Sequence, residues 1–405
     1  MTLLSLATKS LLNRRYTLGL SLLAVAMSVM MLLGVERLQQ QIKSGFAQTI
    51  SATDLIVGPR SSPLTLLLST VFDLAEQNHG MSWQSYQQIK NMPDVQWVVP
   101  LSFGDSHEGY RVVGTLPSYF IYRQFANKTS LSFQQGRAFT DDEGVVLGAM
   151  VAQKLGYQLG DQVVLSHGLA ARSFSQHRQH PLKVVGILAM TGTPVDKRLF
   201  VDLQAIEEMH ATAEHHDAHQ QPDKISGLLM GATSKFSLLN LLRDLNEFTP
   251  EPLTAILPQV ALQQLWNLMS VVEKGLMVLS VLVVVTGLIG LLTNILTNLH
   301  QRHRELAILR ALGAAPRHIF TLLMGEMLLL GCLGCALGVG LFYAAQVVAA
   351  PLVQQSLGMP LMISMLSLAE WQLLGLLLVA IIVVGFVPAI RAYRMTLHDG
   401  MQIRS

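Results

Sequence analysis

The chain has 405 residues, of which 51% are hydrophobic and only 13% charged, and its mean hydropathy is +0.42. Soluble domains carry about 25% charged residues, so the composition excludes an ordinary soluble enzyme and points to membrane spans. A net charge of +2, with basic residues dispersed or beside apolar runs, gives no case for nucleic-acid binding.

A span needs about 20 apolar residues, at about 1.5 Å per residue across about 30 Å of hydrocarbon. Residues 1–15 carry Lys9, Arg14 and Arg15 and lead into an uncharged run over 16–35, the first predicted span. That run is too long for the apolar part of a secretory signal, and no small-x-small cleavage site follows, so a retained anchor is expected.

Residues 36–270 alternate between strand and helix patterns. DLIVG (54–58), VQWVVPLSF (95–103), YRVVGT (110–115), DQVVLS (161–166) and LKVVGIL (182–188) are apolar, β-branched runs bounded by turn residues. WQSYQQIKNM (83–92), AMVAQKLG (149–156) and LQAIEEMH (203–210) have helical composition. The alternation predicts a mixed α/β domain of two subdomains, the second over about 126–223. RSSPLTLLLSTVFDLA (60–75) is too short to span and reads either as a buried helix or as an apolar surface near the membrane. HATAEHHDAH supplies His210, His215, His216 and His219. His215 and His219 lie one helical turn apart and could share a zinc ion. The other reading is a solvated loop whose histidines do nothing specific.

Three further spans follow, over 275–298, 319–346 and 371–390. Glu326 lies inside the third, where an ionisable side chain is costly and either pairs across helices or snorkels to the near end. GCLGCALGVG (331–340) has small-xxx-small spacing, and its Cys332 and Cys335 read as packing residues rather than a redox pair. Arginines concentrate at the N-terminus, in 299–318 and in the tail 391–405, while the loop 347–370 has neither Lys nor Arg. The positive-inside rule then places both termini and the 299–318 loop in the cytoplasm, and exports 36–270. The fold class expected is a polytopic α-helical membrane protein of four spans, with a large exported α/β domain between spans 1 and 2.

LHQRHRELAILRALGAAPRHIF (299–320) holds Leu306, Leu309 and Leu312 at helical spacing beside Arg302, Arg304, Glu305 and Arg310, and Gly313 ends the pattern. An apolar stripe edged with charge suits the groove of a soluble partner. This stretch resembles the cytoplasmic coupling segment of the MacB/LolC/FtsX-type ABC transporter permeases, the mechanotransmission group. GRAFTDDEGVVLGAMVAQKLGYQLGDQVVL (136–165) and VVGILAMTGTPVDKRLFVDLQAIE (184–207) resemble that family's periplasmic core, and FVPAIRAYRMTLHDGMQ (386–402) its closing segment.

The resemblance implies an amphipathic cytoplasmic helix over 1–15, and docking of 302–314 on an ATP-binding subunit present in two copies. It also implies a second permease subunit, identical or related, residence in the cell inner membrane, and a periplasmic or lipoprotein partner beside membrane lipid. No lysine here is preceded by glycine, so the G-x-x-x-x-G-K-[ST] phosphate loop is missing from this sequence. The chain should therefore be a non-catalytic permease with no cofactor of its own, ATP and magnesium being held by the partner. In that it is unlike MacB, whose ATPase is fused. Two activities fit the resemblance: export or extraction of a lipoprotein, lipid or other periplasmic cargo, and FtsX-like signalling in which nothing crosses. A zinc-linked transporter is a third reading, resting on the histidines alone.

Overall fold

The computed structural model describes residues 15–75, 79–167, 181–206, 224–301, 315–357 and 363–398. Four helices in it are long and apolar enough to cross a membrane. They are α1 (Arg15–Thr49), α2 (Pro258–Gln301), α3 (Pro316–Leu357) and α4 (Leu368–His398). The α/β domain lies between the first two.

Two of these helices outrun their apolar stretches. Beyond 35, α1 continues without a break through ERLQQQIKSGFAQT to Thr49, reaching about 52 Å at about 1.5 Å per residue. Similarly, α2 begins at Pro258, ahead of the uncharged run that follows Lys274, and reaches about 66 Å by the same rise. Hydropathy marks where hydrocarbon ends, not where a helix ends.

The chain divides into two compact units, a membrane unit and an exported unit made chiefly of Ile42–Met269. In the membrane unit, Val25, Val29, Leu291, Met327, Leu377 and Ile381 belong to one core shared by all four helices. Small residues let the helices approach. A Cβ on Gly334 would stand 2.6 Å from a Val25 methyl, and one on Gly338 would stand 2.6 Å from Val29 Cβ and 2.8 Å from the Ala26 carbonyl oxygen. The glycine-rich run of α3 is thus the seam against α1, as its spacing predicts. Cys335 is buried and Cys332 exposed, and both are free thiols.

The exported unit is built on one sheet of eleven strands. Nine of them lie side by side: β1 (Leu55–Pro59), β2 (Val95–His107), β3 (Tyr110–Thr115), β4 (Phe133–Gly136), β5 (Gly144–Leu147), β6 (Leu182–Leu188), β7 (Arg198–Asp202), β8 (Gly227–Ala232) and β9 (Leu253–Ile256). Their order is β9-β1-β8-β2-β3-β7-β5-β6-β4. Pairings are antiparallel except β3 with β7 and β5 with β6. Glu108 and Gly109 turn β2 into β3 with φ of +49° and +82°, the left-handed pair that a two-residue hairpin requires.

Side chains alternate across this sheet with a period of two. Ile56, Val99, Val113, Val146 and Phe200 enter a single core, which the helix Pro63–Thr70 shares through Leu66 and Leu67. The residues between them enter two separate cores, one around Leu55, Val57 and Met230 and the other around Val112, Val145 and Val201. The two expected subdomains therefore share one hydrogen-bonded sheet, joined where β7 runs parallel to β3. Stretch 60–75 is a buried helix followed by buried Val71 and Phe72, with only Leu74 near its end exposed among the large apolar side chains.

Candidate functional site

The coupling residues Arg302, Arg304, Glu305, Leu306, Leu309, Arg310, Leu312 and Gly313 lie outside the described residues, as do His210, His215, His216 and His219. Their described flanks are the end of α2 at Gln301 and the start of α3 at Pro316. Among the described residues, no group of three His, Cys, Asp or Glu side chains could hold a metal ion. Glu326 sits half-buried in α3, one residue before Met327 of the membrane core.

The most elaborate polar constellation among the described residues of the membrane unit is one that the sequence did not single out. Arg37 of α1 is buried with Glu370 of α4, Nε donating to Oε1 at 2.6 Å and Nη2 to Oε2 at 2.7 Å. Nη1 donates to the carbonyl and hydroxyl oxygens of Ser364, and Nη2 also to the Met365 carbonyl. All five guanidinium donors are thereby used. The Phe342 ring of α3 lies 5.6 Å from the guanidinium carbon, and the Tyr343 hydroxyl donates to the Ser364 carbonyl at 3.1 Å.

Glu370 has a second task. Its Oε2 accepts from the Ser367 amide at 2.6 Å, while the Ser367 hydroxyl accepts from the Glu370 amide at 3.3 Å. This reciprocal pair is a capping box that starts α4. The signal S-x-x-E stands at 367–370, but hydropathy gives no reason to connect it with Arg37. One carboxylate thus fixes the first turn of α4 and binds it to α1, with α3 supplying the aromatic wall.

Elsewhere in the membrane unit, polar contacts also join α1 and α2. The Ser28 hydroxyl shares its hydrogen between the Ala24 carbonyl at 2.8 Å and the Val283 carbonyl at 3.2 Å, and Asn294 Nδ2 donates to Ser21 Oγ at 2.5 Å. Neutral hydrogen bonds of this kind are each worth about 1 kcal/mol. A buried bidentate ion pair is far harder to break, because removing either partner strands a charge.

In the exported unit a second arginine network fastens the buried segment to the sheet. Arg198 of β7 donates to both carboxylate oxygens of Asp73, at 2.7 and 2.9 Å, and to the Val71 carbonyl at 2.9 Å. Arg111 joins the same carboxylate at 3.2 Å. Burial works against the Arg198 charge, yet Asp73 holds its pKa above the ordinary arginine value. Asp196, in the turn before β7, accepts from the Thr191 and Gly192 amides and from the Thr191 hydroxyl. Burial nonetheless raises its carboxyl above the usual aspartate value. Both networks read as scaffolding.

Comparison with known proteins places these units. The MacB-like periplasmic core domain matches residues 17–238, and the FtsX-like permease C-terminal region matches 277–397. Lipoprotein-releasing system transmembrane protein LolE of Haemophilus influenzae is 23% identical over 340 residues, covering 80% of this chain and 73% of that protein. The uncharacterized ABC transporter permease YknZ of Bacillus subtilis is 24% identical over 290 residues, covering 67% of this chain and 66% of its own length. Among solved structures, the extracellular domain of YknZ aligns at 16% identity, with TM-score 0.32, over 50% of this chain and 99% of that domain. The periplasmic region of MacB from Actinobacillus actinomycetemcomitans aligns at 12% identity, with TM-score 0.37, over 55% and 95%.

Proposed function

Because the chain belongs to the ABC transporter permease family that joins a MacB-like periplasmic core to an FtsX-like permease region, we propose that it is the membrane subunit of a complex whose ATPase is a separate cytoplasmic chain. In this reading 302–314 docks on that ATPase, and nucleotide-driven movement passes through the spans to the exported domain. The observation that carries it is the continuity of α1 and α2. Each is one unbroken helix, longer than a bilayer is thick, with one end in the exported unit. A continuous helix conveys displacement along its axis, whereas a flexible linker would absorb it.

The relation to LolE favours a lipoprotein or another lipid-anchored cargo, handled on the exported side of a cell inner membrane. Both termini and the 299–318 loop then face the cytoplasm. A second permease subunit completes the complex.

The test is enzymatic. The purified chain alone should hydrolyse no ATP, and membranes expressing a tagged copy should yield an ATP-hydrolysing subunit bound to it. Hydrolysis by the isolated chain, or recovery from native membranes with no ATPase attached, would refute the proposal.

A further inference from the structure

Arg123 is a buried cation with no acid paired to it among the described residues. It follows the helix Ser118–Tyr122 and is 5% exposed. Arg198, another cation, works against its charge and has Asp73 as its own carboxylate partner, while the Tyr119 side chain favours the charge. Burial accordingly pulls the Arg123 pKa down, but a guanidinium remains protonated throughout the physiological range. Something besides Tyr119 must stabilise this charge.

What faces it is the end of α1. The Arg123 guanidinium donates to the carbonyl of Thr49, the last residue of that helix, and at 3.3 Å to the Thr53 hydroxyl. Three residues on, the Ala126 amide donates to the Gln48 carbonyl at 3.0 Å. Segment 123–126 therefore supplies donors to two of the carbonyls that a helix C-terminus leaves unsatisfied, and it sets a positive charge at the negative end of the helix dipole. Aromatic packing secures the same turn: Phe46 stacks on Phe72 at 4.3 Å and meets Trp266, in the first part of α2, edge-on at 5.5 Å.

We propose that Arg123 is a positioning residue, the joint by which the exported domain grips the end of α1. This rests on the transmission reading above and adds the point at which transmission is made. A helix end without such a cap frays, and a frayed turn would take up movement instead of passing it on. Here the cation is stable only while the helix end stays in place, so helix end and domain move together.

Two measurements on the full chain in lipid nanodiscs test it. Hydrogen exchange without nucleotide reads the grip itself. Arg123→Met should speed exchange of the amides at 46–49 by about tenfold or more, the loss expected for a hydrogen bond to a charged donor. Arg123→Lys, which keeps the charge and a donor, should restore much of the protection. Unchanged protection in Arg123→Met, in a chain whose sheet amides remain protected, would overturn the proposal.

The second measurement uses the complex with its ATPase and magnesium–AMP-PNP. One spin-label pair at positions 20 and 276 reads the membrane unit, and another at 20 and 235 reads the exported domain. In Arg123→Met the first distance should still respond to nucleotide while the second no longer does, and Arg123→Lys should recover it. A domain response that survives Arg123→Met refutes the joint. If the domain fails to respond even in wild type, it is the transmission reading that falls, and the exchange result alone then decides whether Arg123 holds the helix end.

Discussion

Arg37 and Glu370, 333 positions apart in the chain, meet as a bidentate pair in which Arg37 is 4% exposed and Glu370 wholly buried. Removing one partner strands the other charge, at a cost of about 3–5 kcal/mol. Glu370→Leu and Arg37→Met should each lower the thermal stability of the chain in nanodiscs by that order. The double variant Arg37→Met/Glu370→Leu should lose clearly less than the sum, because no unpaired charge remains. It should not reach wild type, since the α4 capping box and the bonds to Ser364 and Met365 are gone. Additive losses would show that the pair is not coupled.

The α1–α3 seam predicts a contrast between two glycines of one helix. Gly338→Val would drive a side chain into Val29 and the Ala26 backbone, whereas a Cβ on Gly340 meets nothing within 4 Å. Overpacking of this kind costs about 1–3 kcal/mol or more. Gly338→Val should therefore reduce the yield of folded, monodisperse protein and its melting temperature, and Gly340→Ala should leave both unchanged. Size-exclusion profiles and thermal melts in detergent check the comparison.

Asp196 gives a pH dependence with a definite sign. Burial raises its carboxyl pKa on folding despite the bonds it accepts. A carboxyl raised on folding binds its proton more tightly in the folded chain. Its favourable contribution is therefore present below the ordinary aspartate value and lost as pH rises through the folded-state value. Wild type should gain stability relative to Asp196→Asn as pH falls from about 7 to about 4, across the carboxylate range. Melting of the exported unit, followed by near-ultraviolet circular dichroism of the full chain, reads the difference. The opposite slope would mean that the Thr191 and Gly192 bonds outweigh burial.

The four spans were legible because a bilayer imposes a length, and uncharged runs of that length have no other common use. The strands at 55–59, 95–107, 110–115 and 182–188 were legible for a similar reason, since β-branched residues between turn residues form a local pattern. Strand β8, GLLMGA, carries no β-branched residue, and β5 and β9 are four residues each. Their strand character comes from the neighbours they pair with. DQVVLS shows the converse: only Gln162–Val163 forms strand before a second short piece at Ser166–His167.

Arg37 was invisible as a site because a basic residue at the edge of a span looks like any interfacial anchor. Only the packing of α4 on α1 gives it a partner. Arg123 escaped for the same reason: its counter-charge is a helix end, which no residue letter records.

Orientation offers a further check. Reporters fused after Ser270 and near Leu357 should register the exported side, and those near Arg310 and after Ser405 the cytoplasm. A cytoplasmic signal from the Ser270 fusion would contradict the assignment of the α/β domain to the exported side.

Docking of 302–314 on a separate ATPase through its leucine stripe is probed by Leu309→Asp. The substitution would put an unpaired carboxylate into the apolar groove of the partner, which is strongly unfavourable, while leaving the four spans unchanged. Arg304→Ala should weaken binding less, because a charge at the rim acts chiefly on association rate. The measurement is capture of the ATPase by tagged permease from solubilised membranes, with insertion verified by protease accessibility. Correctly inserted Leu309→Asp permease should retain little or no ATPase while Arg304→Ala retains most of it. Full retention by the correctly inserted Leu309→Asp variant would contradict docking through the leucine stripe.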